Sequence, residues 1–302
     1  MSLHYAGELA ALATACCWTV TSMSFEAAGK RIGSLSLNGI RLTLALGFLT
    51  LWCWIRRGQA LPLDASGHAW VWLSISGVIG FAVGDLCLFR AFILIGARLS
   101  MLMMSLVPPI TALVAWALMN EKLSGPEWVG MGLTIAGVSW VVMERRKDER
   151  GRPIRAPIKG VLLGLGGAGG QALGLVLSKY GMRDYDAFAS TWIRILAGLV
   201  GFAVIYTAVG WWPRVKAAFR NKSGMAYAGL GAFFGPFLGV SLSLVAIQRT
   251  HAGVAATLMA LVPVLILAPA HFITKEDISL RAVAGAVLAV SGCALLFLSA
   301  TP

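Results

Sequence analysis

Charged side chains are scarce in this sequence: 13% of its 302 residues are Asp, Glu, Lys or Arg, against 58% hydrophobic. A soluble domain carries about a quarter charged residues, so a water-facing globular fold is excluded. No polar stretch is long enough to hold a separate soluble domain. Cysteine is sparse too, with Cys16, Cys17, Cys53, Cys87 and Cys293 all inside apolar runs. None forms a Cys-x-x-Cys pair or a Cys/His cluster with metal-ligand spacing, so they read as small buried hydrophobes. The histidines (His4, His68, His251 and His271) lack paired ligand spacing, and no activated nucleophile is recognisable. No catalytic residue, metal or cofactor is assigned, and enzymatic activity is not expected. The first apolar run has no basic n-region before it, which argues against a cleaved signal peptide.

What is abundant is apolar sequence in runs of membrane-crossing length. They lie near 7–28, 36–55, 69–94, 99–119, 127–143, 160–180, 187–209, 225–247, 252–273 and 280–299. Each can carry about 17–25 residues of helix, enough for a hydrocarbon core of about 30 Å. Lipid offers the backbone no hydrogen-bond partners, so the spans must be helices, and the alternating pattern of a β-barrel is absent. The expected class is an all-α membrane protein of ten transmembrane helices. The net charge of +12 comes from Lys and Arg in loops and at helix ends, where they meet lipid headgroups. No folded module that reads bases accompanies them, which excludes nucleic acid and leaves the lipid bilayer as the large partner.

The sequence also repeats itself. An offset of 153 residues places Gly7 on Gly160 and Arg41 on Arg194. An offset of 155 places Gly80, Gly84 and Ala91 on Gly235, Gly239 and Ala246. It also carries Leu106-Val107-Pro108 onto Leu261-Val262-Pro263, Glu121 onto Glu276, Gly130 onto Gly285 and Gly137 onto Gly292. Two units of five helices result, 7–143 and 160–299, joined by a charged loop at 144–159. An odd number of helices per unit inserts the two copies upside down to each other. Secondary transporters are commonly built this way, with a substrate site where the repeats meet near the midplane.

The segment Ala91-Phe92-(x4)-Ala97-Arg98-(x8)-Val107-Pro108-(x12)-Glu121-(x8)-Gly130-(x6)-Gly137 resembles the EamA domain of the drug/metabolite transporter superfamily. The second half repeats it as Ala246-(x15)-Val262-Pro263-(x12)-Glu276-(x8)-Gly285-(x6)-Gly292. The resemblance implies a ten-helix inverted-repeat carrier of the bacterial inner membrane that moves a small-molecule substrate. It points to export of amino acids and related amphipathic metabolites, as in YddG-type exporters. Flipping of lipid-linked metabolites is the alternative, and a membrane-embedded enzyme a more distant one. The sequence is compatible with a monomer or a homodimer.

Ionisable residues inside a membrane are costly unless paired or hydrated, which makes them functional candidates. Asp85 can serve as proton acceptor, as binder of a substrate ammonium group, or as partner of Arg41 or Arg90 in a structural or gating bridge. Glu26, Arg41, Arg90, Lys179 and Arg194 are the gate or ion-pair candidates; Arg41 and Arg194 can also snorkel from helix ends. Glu121 and Glu276 are expected to cap or pack helix ends. Pro108 and Pro109 interrupt the fourth span, and Pro263 and Pro269 the ninth, where missing N–H groups bend the helix and free carbonyls. These prolines are the expected hinges. Met101, Met104 and Ser105, with Ala256 and Met259 in the other half, should face the cavity. Trp18 and Gln171 coincide under the 153-residue offset and join them as substrate candidates, offering an apolar face, a donor and an acceptor. Trp52, Trp54, Trp70, Trp72, Trp211 and Trp212 read as an interfacial belt. The run Gly164-x-Gly166-Gly167-x-Gly169-Gly170 lacks the Lys-Ser/Thr ending of a phosphate loop and reads as a helix-packing surface.

Orientation is contested. Most loop Lys and Arg fall on side A, the side bearing the end of the first helix, which puts that side in the cytoplasm and both termini outside. The family resemblance favours termini inside.

Overall fold

The computed structural model describes residues 5–143, 157–265, 269 and 280–299. Helices succeed one another throughout: α1 (Ala6–Ile32), α2 (Ser34–Arg57), α3 (Gly67–Gly77), a π-helical segment (Val78–Gly84), α4 (Asp85–Met104), α5 (Val107–Met119) and α6 (Gly125–Met143). The second unit runs α7 (Ile158–Met182), α8 (Ala187–Ala208), the short α9 (Trp212–Ala218), α10 (Lys222–Ala232), a second π segment (Phe233–Gly239), α11 (Val240–Arg249), α12 (Ala252–Met259), α13 (Val262–Leu265) and α14 (Leu280–Ser299). Among the described residues, five helical stretches are by themselves long and apolar enough to cross a membrane: Ser34–Arg57, Gly67–Ala91, Ile158–Met182, Ala187–Ala208 and Lys222–Arg249. Local chemistry sets several starts. The Ser66, Asp186 and Asn221 side chains accept from the N–H groups of Ala69, Ala189 and Gly224, satisfying donors the first helical turn leaves orphaned.

The packing pattern is that of two inverted five-span units. α1 packs along α10, the second π segment and α11, while α7 packs along α3, the first π segment and α4. α2 lies on α8, α5 on α12, and α6 on α14. Each span therefore meets either its own counterpart or the counterpart of its partner. The α6–α14 seam explains the matched glycines. A Cβ on Gly137 would lie 2.4 Å from the Ala289 nitrogen, and one on Gly292 would lie 2.5 Å from the Thr134 nitrogen. Only bare backbone allows that approach, the usual basis of helix association in lipid.

One boundary differs from expectation. The sequence predicts a link between the third and fourth spans at 95–98, yet helical backbone continues from Asp85 to Met104. Contacts nonetheless place the reversal there. Leu88 covers Gly167 and Ile95 covers Gly160, but Met103 returns to cover Gly164. Val107 then packs with Ala168 and Ala172. The chain thus turns back without a loop, whereas the second unit turns at Thr250–His251. Several tryptophans of the expected interfacial belt also pack between spans. Trp54 is exposed, but Trp52 stacks on Phe188, Trp70 meets Trp192 edge-on, and Trp211 donates to Ser36. Aromatic area here serves packing between spans.

Candidate functional site

The two halves are interrupted at the same register. Helical geometry breaks at Ser105–Leu106 before α5 and at Ala260–Leu261 before α13, positions 155 residues apart. Each break precedes a proline by two residues. Pro108, Pro109 and Pro263 have no N–H to offer the carbonyls of Met104, Ser105 and Met259. Short three-residue bonds, Leu106 N–H to Met103 and Leu261 N–H to Leu258, tighten the turns instead. Pro269 lies between residues outside the described set, as does Glu276 itself.

The π segments are matched as well: Val78–Gly84 and Phe233–Gly239 again lie 155 residues apart. In each, a terminal glycine faces the carbonyl five residues back; a Cβ would sit 3.1 Å from Ile79 O at Gly84 and 2.8 Å from Phe234 O at Gly239. Glycine permits this wide turn and also close passage of the neighbouring helix. A Cβ on Gly170 would come within 2.7 Å of Gly84 Cα, so α7 and the first π segment touch backbone to backbone. In the other half the Trp18 ring fills that place, 2.7 Å from a Cβ on Gly239. π turns of this kind occur frequently at functional sites.

Asp85 comes directly after the first π segment and pairs with Arg41 from α2. Both side chains are largely buried, and the Arg41 guanidinium lies 5.4 Å from the centroid of Phe25 and 5.8 Å from that of Phe89. Arg194 of α8, the repeat partner of Arg41, is 5% exposed and lies 5.0 Å from the Phe81 centroid. A Cβ on Gly80 or Gly174 would approach its Nη2 to 3.4 or 3.5 Å. Its Nε makes no hydrogen bond, and no carboxylate lies within ion-pair distance among the described residues. Asp85 is near enough to act on it electrostatically. The repeat counterpart of Asp85 is Val240, so two symmetry-related arginines share one carboxylate. Arg90, the other partner considered for Asp85, is exposed and makes no ion pair among the described residues.

Side B, opposite side A and bearing the start of the first helix, is held by a network across three elements. Lys179 near the end of α7 pairs with Glu121 at 2.6 Å and donates to the Thr250 carbonyl at 2.8 Å. Glu121 also accepts the Ala252 N–H at 2.9 Å, capping α12. Beside it, Glu127 accepts from the Ser124 N–H at 2.6 Å and lies 2.8 Å from His251 Nδ1. The α5–α6 link, the end of α7 and the α11–α12 turn are thereby tied together. A cleft of about 340 Å³ opens beside the knot, lined by Met119, Lys179, Tyr180, Arg183, Asp184 and Gln248. Farther out, Arg57, Asp64 and Tyr185 form a triad, with Arg57 2.5 Å and Tyr185 2.9 Å from Asp64. Burial, with the bond to Asp64, pushes the Tyr185 phenol up to about 12. Slight burial opposes the ionised form of Asp64, but bonds from Tyr185 and Arg57 outweigh it and hold the carboxyl below its usual range.

The remaining candidates scatter by role. Gln171 is half-buried beside Gly170, and its amide has no partner among the described residues. Met104 packs on Val107, Ala168 and Ala172; Ser105 is buried, 3.4 Å from Ser139; Ala256 and Met259 are core residues. The side chain of Met101 lies outside the described residues. Among the described residues Glu26 pairs only with Lys30, one turn away on an exposed face. Residues not singled out as site candidates from sequence are Phe81, which carries Arg194, and Glu127 with His251. The Ser124-Gly-Pro-Glu127 capping pattern was the one local signal for them.

Comparison with known proteins agrees with this architecture. The EamA-like transporter family model matches residues 5–143 and again 158–298. Among curated proteins, none matches. A solved crystal structure is similar at a TM-score of 0.75 and 18% identity, covering 97% of each chain; at that identity it speaks for the fold alone. Two tandem matches over nearly the whole length place this chain in the EamA-like transporter family.

Proposed function

We propose that the protein is a secondary exporter of small amphipathic metabolites, amino acids foremost, in a bacterial inner membrane. The observation that carries this reading is the pair of broken spans at Ser105–Leu106 and Ala260–Leu261. Broken helices at matching positions of inverted repeats mark the binding region of secondary transporters. The carbonyls of Met104 and Met259, to which Pro108 and Pro263 offer no N–H, suit an ammonium group, and the unpartnered Gln171 amide supplies a donor and an acceptor. Met104, Ala256 and Trp18 supply apolar surface. The prolines act as hinges, and the Lys179–Glu121 knot is the gate of side B.

Alternating access results if the knot opens when side A closes. Counterflow into liposomes preloaded with an unlabelled amino-acid mixture tests the reading. Accumulation of at least one labelled amino acid is expected, and Gln171→Ala should reduce it. Absence of counterflow for every amino acid tried, by protein that is folded and inserted, would refute amino acids as cargo.

A further inference from the structure

We propose that Asp85 is a shared counter-ion that leaves Arg41 for Arg194 when the carrier changes the side to which it opens. The proposal deepens the transporter reading and rests on it. Four observations meet here. Arg41 and Arg194 occupy equivalent places in inverted repeats, so a change of access exchanges their surroundings. One carboxylate serves both, because Val240 stands where symmetry would put a second. Asp85 pairs with Arg41 in the state in which side B is tied shut. In that state Arg194 is buried with the Phe81 ring against its charge and, unlike Arg41, with no carboxylate at ion-pair distance among the described residues; the Nε of each arginine is unsatisfied.

A buried cation without a carboxylate in contact is expensive, and the cost is recovered if the other state brings one into contact. Both arginines stand on a fixed frame. Trp192 of α8 donates to Thr50 of α2 at 2.9 Å; Tyr206 donates to the Leu35 carbonyl at 2.6 Å and accepts the Gly39 N–H at 2.9 Å. The carboxylate stands on an element able to move. Asp85 sits immediately beyond the wide turn Val78–Gly84, whose Gly80 and Gly84 carry no side chain to resist rearrangement. Shifting such a turn by one residue rotates the start of α4 by about 100°, the step of one residue in an α-helix. That rotation carries Asp85 around its helix axis, away from Arg41. The second π segment contains Pro236 and leads into Val240, so the device is built in one half only.

The test needs no substrate. A cysteine at Ala252, fully buried under Glu121, is introduced into protein lacking Cys16, Cys17, Cys53, Cys87 and Cys293. Its reaction with a membrane-impermeant maleimide in liposomes, offered from side B, reports opening of that side. Arg41→Gln should speed labelling severalfold, because Asp85 then gains by moving to Arg194. Arg194→Gln should slow it severalfold, because the side-B-closed state loses its unpaired charge. In an Asp85→Asn background the opposition should vanish. Arg41→Lys and Arg194→Lys, which keep the charge but lose the planar fork, should show the same signs at smaller size and serve if a Gln variant does not fold. Shifts of the same sign, or an Arg194 effect that survives Asp85→Asn, would overturn the exchange. Amino-acid counterflow is read separately, so a failed exchange would leave the transport reading intact.

Discussion

The two repeats share a backbone design and differ in what they hang on it. Both have a π turn in the third span of the unit, a break two residues before a proline, and glycines that let the fifth spans touch. The first unit places Asp85 after its π turn, and the second places Val240. The α1 side of the pairing is filled by Trp18, whereas α7 presents Gly170. Symmetry in the backbone allows the two access states to exist. Asymmetry in the side chains sets their relative energies, because only unlike contacts can favour one state over the other.

The sharpest way to break this comparison is at the position that differs. Asp85→Asn leaves Arg41 buried without its carboxylate and is expected to cost about 3–5 kcal/mol, seen as a large loss of thermal stability in detergent. Val240→Ala, at the equivalent place, should cost far less. Adding Arg41→Met to Asp85→Asn should recover most of the loss, and a double variant no more stable than the single one would mean that Asp85 acts otherwise than through Arg41.

Next in size are the glycine seams. Gly137→Ala and Gly170→Ala force a Cβ against backbone at 2.4 and 2.7 Å and should destabilise by about 1–3 kcal/mol each. Gly169, with nothing within 4 Å, is the control. Its alanine variant should be neutral or stabilise by up to about 1 kcal/mol through helix propensity. Equal effects at Gly169 and Gly170 would contradict the packing described.

Smaller effects are expected at the charged ends. Glu121→Gln should speed maleimide labelling of a cysteine at Ala252, whereas Glu26→Gln should not, since the exposed Glu26–Lys30 pair spans one helical turn and is worth about 0.3–0.5 kcal/mol. The smallest is at the Arg57–Asp64–Tyr185 triad. The folded Asp64 carboxyl titrates below its unfolded value, so its contribution is present above the ordinary carboxylate pKa of about 3.9 and fades as pH falls through the lower folded value. The melting difference between wild type and Asp64→Asn should be constant near neutrality and shrink only in strong acid. A difference that grew on acidification would have the wrong sign.

Much of this molecule is legible in its sequence because lipid leaves the chain few choices. The spans and the tandem units stem from apolar length and repeat register, and the packing face of α7 from its glycine run; that Gly137 and Gly292 also pack emerges only in the fold. The breaks are visible because proline acts locally. The π turns are not, since Gly80 and Gly84 read identically in an α-helix and in a wide turn. Asp85 has two candidate partners in the sequence, and only the folded backbone separates buried Arg41 from exposed Arg90. Lys179 is recognisable as a gate candidate, but its partner Glu121 comes from another span, and no local pattern joins them. The link at 95–98 reads as a loop, yet helical geometry runs from Asp85 to Met104, and no local pattern in those residues announces it.

The central claim is that side B must open and close for solute to cross. A reducible bifunctional thiol cross-linker joining cysteines at Lys179 and Glu121, whose side-chain tips meet at 2.6 Å, applied in liposomes in the background lacking native cysteines, tests it most directly. The account predicts that cross-linking stops amino-acid counterflow and that reduction of the linker restores it. Undiminished counterflow through the cross-linked protein would contradict it.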